Sequence, residues 1–146
     1  MKDDRIQNEA TIGFVSFSKP LSYLSDILKI TPTDSFNIGD TFSTRTGPGI
    51  RDRSVWRFTT GRELQSEDTT EHILLLLRYC EPVLEEIATL QRDPDITVFT
   101  RLDIGLPTCF GGISVDADLM AQLAEISDRM DLSFWGLCDD EKAEET

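Results

Sequence analysis

The stretch from Arg45 to Arg62 holds five arginines, Arg45, Arg51, Arg53, Arg57 and Arg62, against a single acid, Asp52. It carries +4 in a chain whose net charge is −13, which leaves −17 for the remainder. A planar guanidinium grips carboxylate or phosphate through two parallel hydrogen bonds. Alternation along residues 51–59 puts Arg51, Arg53 and Arg57 on one strand face. These three are the candidate binding residues for a small anion or an acidic partner. The plainer reading is that they offset carboxylates of the same acidic protein. Charged strand faces are usually solvated, and exposed ion pairs contribute only about 0–1 kcal/mol.

The other reactive types are sparse. His72 is the only histidine, which excludes a zinc site of the Cys/His kind and leaves a carboxylate-assisted one unsupported. Cys80 lies two helical turns further on, about 12 Å along the axis, too far to touch His72. Cys109 reaches His72 only through the fold. Cys80 falls in an apolar stripe and reads as core packing. Asp103, Asp116 and Asp118 can converge near Gly111-Gly112 for acid–base work or divalent-cation binding, but no EF-hand spacing accompanies them and Asp116 serves equally as a helix cap. Neither Gly105-Leu106-Pro107 nor Gly111-Gly112 matches a phosphate loop or a dinucleotide fingerprint. Trp56 and Trp135 sit in strand patterns and are expected in the core. No catalytic residue, metal site or cofactor is assigned.

The elements that position these residues are organised around residues 68–92. Apolar side chains recur at Ile73, Leu76, Leu77, Cys80, Val83 or Leu84, Ile87 and Leu90, the stripe of an amphipathic helix. Leu74 and Leu75 widen that stripe, so the first two turns are expected to be covered on more than one side. Asp68 fits the N-cap with Glu71 as its capping-box partner, and Asp93-Pro94 ends the helix. Pro82 inside it removes one backbone hydrogen bond, which predicts either a kink or two short helices with Pro82 in the first turn of the second; the stripe keeps its phase across Pro82 and favours a kinked single helix.

Ahead of this helix, Ala10–Phe17 reads as a strand. Ser18 and Pro20 open a short helix carrying Leu21, Leu24 and Leu28. Thr41–Arg45 reads as a short strand, 46–49 as a turn or exposed loop, and Arg51–Thr59 as a strand with Trp56 and Phe58 inward. Behind it come strands at Ile96–Leu102, Thr108–Ser114 and Leu132–Leu137. Between the last two lies a helix capped by Asp116, with Leu119, Leu123, Ile126 and Met130 on its face. The order predicts an α+β two-layer sandwich: a mostly antiparallel sheet of five to six strands with three helices, the longest at 68–92.

With 146 residues the chain has length for one core. The expected division is an arm at 1–9, one domain at 10–137 and an acidic tail at 138–146. Cys80, Cys109 and Cys138 are scattered and odd in number, which suits a reducing cytoplasm. No run approaches a membrane span and the start has no signal-peptide core. The segment Asp139–Glu145 holds five acids and one base, and without its −4 the body still carries −9. Such a surface repels nucleic acid and anionic membranes, so neither is expected as a partner.

Several motifs together resemble an uncharacterised bacterial family, the domain of unknown function numbered 4279. They are Leu28-Lys29-Ile30-Thr31-Pro32-Thr33 closing the first helix, the Gly39-Asp40 pair, Trp56, the long helix with Glu71-His72 and Pro82, and the closing pattern of Gly112-Ile113-Ser114, Leu119, Leu123-Ala124 and Leu132. The likeness covers roughly residues 10–137. It implies a small bacterial cytosolic domain and brings no activity or catalytic residues with it.

The expected function is therefore binding. The leading expectation is a non-catalytic protein–protein interaction module of immunity or adaptor type, whose acidic body meets a basic partner. The alternative is a sensor or enzyme that takes a small anionic ligand on the arginine-bearing strand at 51–59. Exposed sheet edges also allow a homodimer.

Overall fold

The computed structural model describes residues 8–106 and 113–136. In chain order the elements are β1 (Glu9–Ser16), α1 (Leu21–Leu28), β2 (Asp34–Phe36), β3 (Thr41–Thr44), β4 (Gly47–Ile50) and β5 (Ser54–Thr59). They continue as α2 (Thr69–Cys80), α3 (Leu84–Arg92), β6 (Ile96–Leu106), α4 (Ala117–Glu125) and β7 (Arg129–Gly136). The sheet runs β2-β5-β1-β6-β7, with β3 and β4 forming a separate hairpin. All pairings are antiparallel except β6 with β7. That parallel step needs a crossover, and the chain makes it through α4. The fold is the expected α+β arrangement.

Side-chain alternation decides which face is covered. Ala10, Ile12 and Phe14 of β1, Trp56 and Phe58 of β5, and Ile96, Val98, Leu102 and Ile104 of β6 share one face. They meet Leu24 and Leu28 of α1, Ile73, Leu76 and Cys80 of α2, Ile87 and Leu90 of α3, and Leu123 of α4. All the described helices therefore pack on the same side of the sheet. Phe14 and Trp56 meet edge to face at 5.4 Å, a geometry that adds about 0.5–1.5 kcal/mol to burial.

The long helix keeps its phase through Pro82, as its stripe requires. Glu81–Val83 form a single 3-10 turn between α2 and α3, and Val83, Ile87 and Leu90 continue the buried line. Asp68 caps α2 by accepting from the Thr70 N–H at 2.9 Å. The capping box closes through a relay: Ser66 Oγ accepts from the Asp68 N–H at 3.0 Å and donates to the Glu71 carboxylate. The wider apolar arc is not covered as expected, because Leu74 is exposed and Leu75 only half-buried.

Other expectations are corrected. Pro20, not Ser18, occupies the N-cap of α1, and Asn37 Oδ1 takes the Leu21 N–H at 2.8 Å instead. The loop expected at 46–49 is largely strand β4. Its glycine content reflects packing, since a Cβ on Gly49 would fall 2.6 Å from the Phe42 ring across the hairpin. β2 has no periodic signal in three residues. β6 does not stop at Leu102 but runs through Gly105, whose N–H donates to Asn8 Oδ1 at 2.6 Å. Met130 lies in β7 rather than on the α4 face. Trp135 is not a core residue; it is 54% exposed on an edge strand. Of the strand expected at 108–114, residues 108–112 lie outside the described residues, and 113–114 are not in a strand. No described helix is long and apolar enough to cross a membrane.

Candidate functional site

Among the described residues, the second face of the sheet carries no helix. Cross-strand register brings Arg57 of β5, Gly13 of β1, Phe99 of β6 and Arg129 of β7 into one row. The next row is Thr59, Thr11, Arg101 and Asp131. Gly13 is required by that packing: a Cβ there would lie 2.2 Å from the Phe99 ring, which rests across the glycine. The guanidinium of Arg129 covers the same ring at 5.7 Å. The β3–β4 hairpin adds a wall beside β2. Its base is held by reciprocal backbone bonds, Arg51 N–H to Asp40 O at 2.7 Å and Gly39 N–H to Arg51 O at 2.8 Å.

Two adjoining grooves result. The larger, about 510 Å³, is lined by Arg51, Arg53, Arg57, Arg101 and Arg129 with Asp52, Asp131 and a set of apolar side chains. The smaller, about 490 Å³, shares Arg57 and Arg101 and adds Arg62 and Glu9. Four of these arginines are paired. Arg57 grips Asp34 with two bonds, at 2.9 and 2.7 Å. Arg53 meets Asp52 at 2.9 Å, Arg101 meets Asp103 at 3.1 Å, and Arg129 meets Asp131 at 3.3 Å. Glu9 stands opposite Asp103 in the register. Its carboxyl is pushed above the ordinary carboxylate range, first by burial and then by the Asp103 charge, against the pull of Arg101.

A family profile described as "Domain of unknown function (DUF4279)" matches residues 6–137. The chain belongs to the DUF4279 family. No curated protein and no solved structure matches it.

In this DUF4279 domain, Arg51, Arg53 and Arg57 do line one groove, but not as a single strand face. Only Arg57 is in β5; Arg51 and Arg53 precede the strand. Arg45 lies at the exposed tip of the hairpin, away from both grooves, and Arg62 donates to the Thr33 carbonyl at 3.2 Å. Asp103 faces the groove side of β6, while Asp116 and Asp118 sit at the start of α4, where Asp116 caps through the Asp118 N–H at 2.8 Å. The three acids do not converge. Among the described residues no three His, Cys, Asp or Glu side chains gather to hold a metal.

His72 and Cys80 have structural work in this DUF4279 domain. His72 Nε2 lies 2.8 Å from the Ser66 carbonyl and Nδ1 lies 2.7 Å from Thr60 Oγ1. A carbonyl only accepts, so Nε2 carries a proton, and in the neutral ring Nδ1 then accepts from the Thr60 hydroxyl. Thr60 Oγ1 in turn accepts from the Ala10 N–H at 2.9 Å. Cys80 is buried, and burial pushes its thiol up to about 12. Cys109 and Cys138 lie outside the described residues. Sequence reasoning missed Arg101, Arg129, Phe36 and Phe42. In a strand at 96–102 side chains alternate, which puts Thr97, Phe99 and Arg101 on one face; the spacing does not say which strands flank them.

Proposed function

We propose that this DUF4279 domain works by binding rather than by catalysis, and that its working surface is the helix-free sheet face, which takes an anionic group. One observation supports the reading. Arg51, Arg53, Arg57, Arg62, Arg101 and Arg129 line two adjoining grooves there, in a chain whose net charge is −13. A cleft with the sign opposite to the rest of the surface concentrates a counter-charged ligand. The test is an NMR titration with citrate and with inorganic phosphate at low and raised salt. Shifts confined to the Nε–Hε signals of these arginines, weakened by salt and lost in Arg53→Glu/Arg62→Glu, are the expected result. Both substituted positions are exposed, so the fold survives the change. Unmoved arginine signals with every anion would overturn the proposal.

A second reading reverses the charge: the acidic body meets a basic protein as an immunity-type or adaptor-type module. The charge that remains without the acidic tail, −9, favours it. Affinity capture at two salt concentrations separates the two. A stoichiometric basic partner, released by salt and still captured by Arg53→Glu/Arg62→Glu, supports the second reading against the first.

A further inference from the structure

We infer that Arg51 is the anion anchor of the larger groove, and that the ligand it suits is a small carboxylate carrying an apolar body. The inference rests on the reading of the open sheet face as an anion-binding surface, and adds the anchoring residue and the ligand class. Arg53, Arg57, Arg101 and Arg129 each have a carboxylate partner within the protein. Arg51 has none among the described residues, and none of its side-chain nitrogens donates to an acceptor there. Its guanidinium carbon instead lies 4.0 Å from the ring centroid of Phe36 and 4.1 Å from that of Phe42. Both contacts are cation–π in kind and use none of the N–H donors as hydrogen bonds to an acceptor. The five N–H donors in the guanidinium plane are left for a ligand.

The backbone of Arg51 is held at the hairpin base by its bonds to Asp40 and Gly39, and its guanidinium rests against the Phe36 and Phe42 rings, which limits the freedom a ligand has to remove. The edge of a planar guanidinium matches a planar carboxylate in a two-point contact. Beside its arginines and two aspartates the groove carries an apolar wall, made by Val15, Phe36, Phe42, Ile50, Val55 and Phe99. Ile50 is 71% exposed, a large aliphatic side chain left largely uncovered by the described residues. A bare inorganic anion leaves that wall wet. An alkyl or aryl carboxylate satisfies the charge and covers the wall, and about 510 Å³ is within the range of small-ligand sites.

Hexanoate is the probe, compared with acetate, which lacks the apolar body, and hexanol, which lacks the charge. NMR follows the Arg51 Nε–Hε signal and the Ile50 methyls. Hexanoate is expected to move both, at least about tenfold more tightly than either control, and Arg51→Lys to weaken it about tenfold by losing the fork. Since Arg51 also pins the hairpin, Ile50→Glu is the second variant: its exposed position spares the fold, and its charge repels the carboxylate. Hexanoate affinity unchanged in both variants would overturn the anchor. Hexanoate no tighter than acetate, with phosphate still moving Arg62 and Arg101, would overturn the ligand class while leaving the anion-binding face standing. If no anion moves any arginine of the face, both readings fall together.

Discussion

Replacing His72 with alanine tests whether the histidine is structural. The ring is fully buried and joins three parts of the chain: α2 itself, the loop at Ser66, and Thr60, which holds the Ala10 N–H of β1. Removing it leaves the Ser66 carbonyl without its donor and the Thr60 hydroxyl without its acceptor. A buried polar group left unsatisfied costs about 1–3 kcal/mol, and the residual void adds to that. The expected loss is about 3–5 kcal/mol, a large part of the roughly 5–15 kcal/mol that holds a domain folded. At roughly 2–4 °C per kcal/mol, Tm falls by about 10 °C. Urea denaturation with an unchanged m-value measures it. His72→Gln places a donor near the Nε2 position and His72→Asn an acceptor near Nδ1, so each should recover part of the loss. Amide exchange at Ala10 should quicken in His72→Ala and His72→Gln. A loss under about 1 kcal/mol for His72→Ala would refute the assigned network, since one unsatisfied group alone accounts for that much.

Two further outcomes follow from the shifted groups. Cys80, with its thiol pushed up to about 12 by burial, should resist alkylation at pH 8 in the folded protein and react at the rate of unfolding; peptide mapping separates it from Cys109 and Cys138, and rapid labelling of Cys80 would contradict its burial. Glu9 has a folded-state pKa above its ordinary value, so its protonated form favours the fold. That contribution is fully present below the unfolded-state pKa and is lost as pH rises through the folded one. Glu9→Gln should therefore be more stable than the parent at pH 7 and lose its advantage in acid; a variant less stable at pH 7 would show that the attraction of the Arg101 charge outweighs burial.

Much of the architecture was legible because it rests on local spacing. The stripe from Ile73 to Leu90 needs only a 3.6-residue period, and it survives Pro82 because one 3-10 turn restores the phase. The alternation around Trp56 and Phe58 identified the buried face of β5 for the same reason. Where local signals were short or misleading, the reading failed. The Gly47–Gly49 composition looks like a loop because Gly49 makes room for Phe42, a contact made across the hairpin. Trp135 has a strand-like setting, yet β7 is an edge strand and leaves the ring exposed.

The candidate site divides along the same line. The sequence by itself determined that arginines are concentrated between Arg45 and Arg62, that His72 and Cys80 cannot touch along one helix, and that alternating residues of 51–59 and 96–102 face opposite ways. Those are consequences of residue type and of the helix and strand periods. Only the tertiary structure decided that β1 lies between β5 and β6, so that Arg57, Gly13, Phe99 and Arg129 share a row. It also set Arg51 against Phe36 and Phe42 and gave Arg57 its partner in Asp34. Periodicity says which way a side chain points, whereas strand order and register say what it meets.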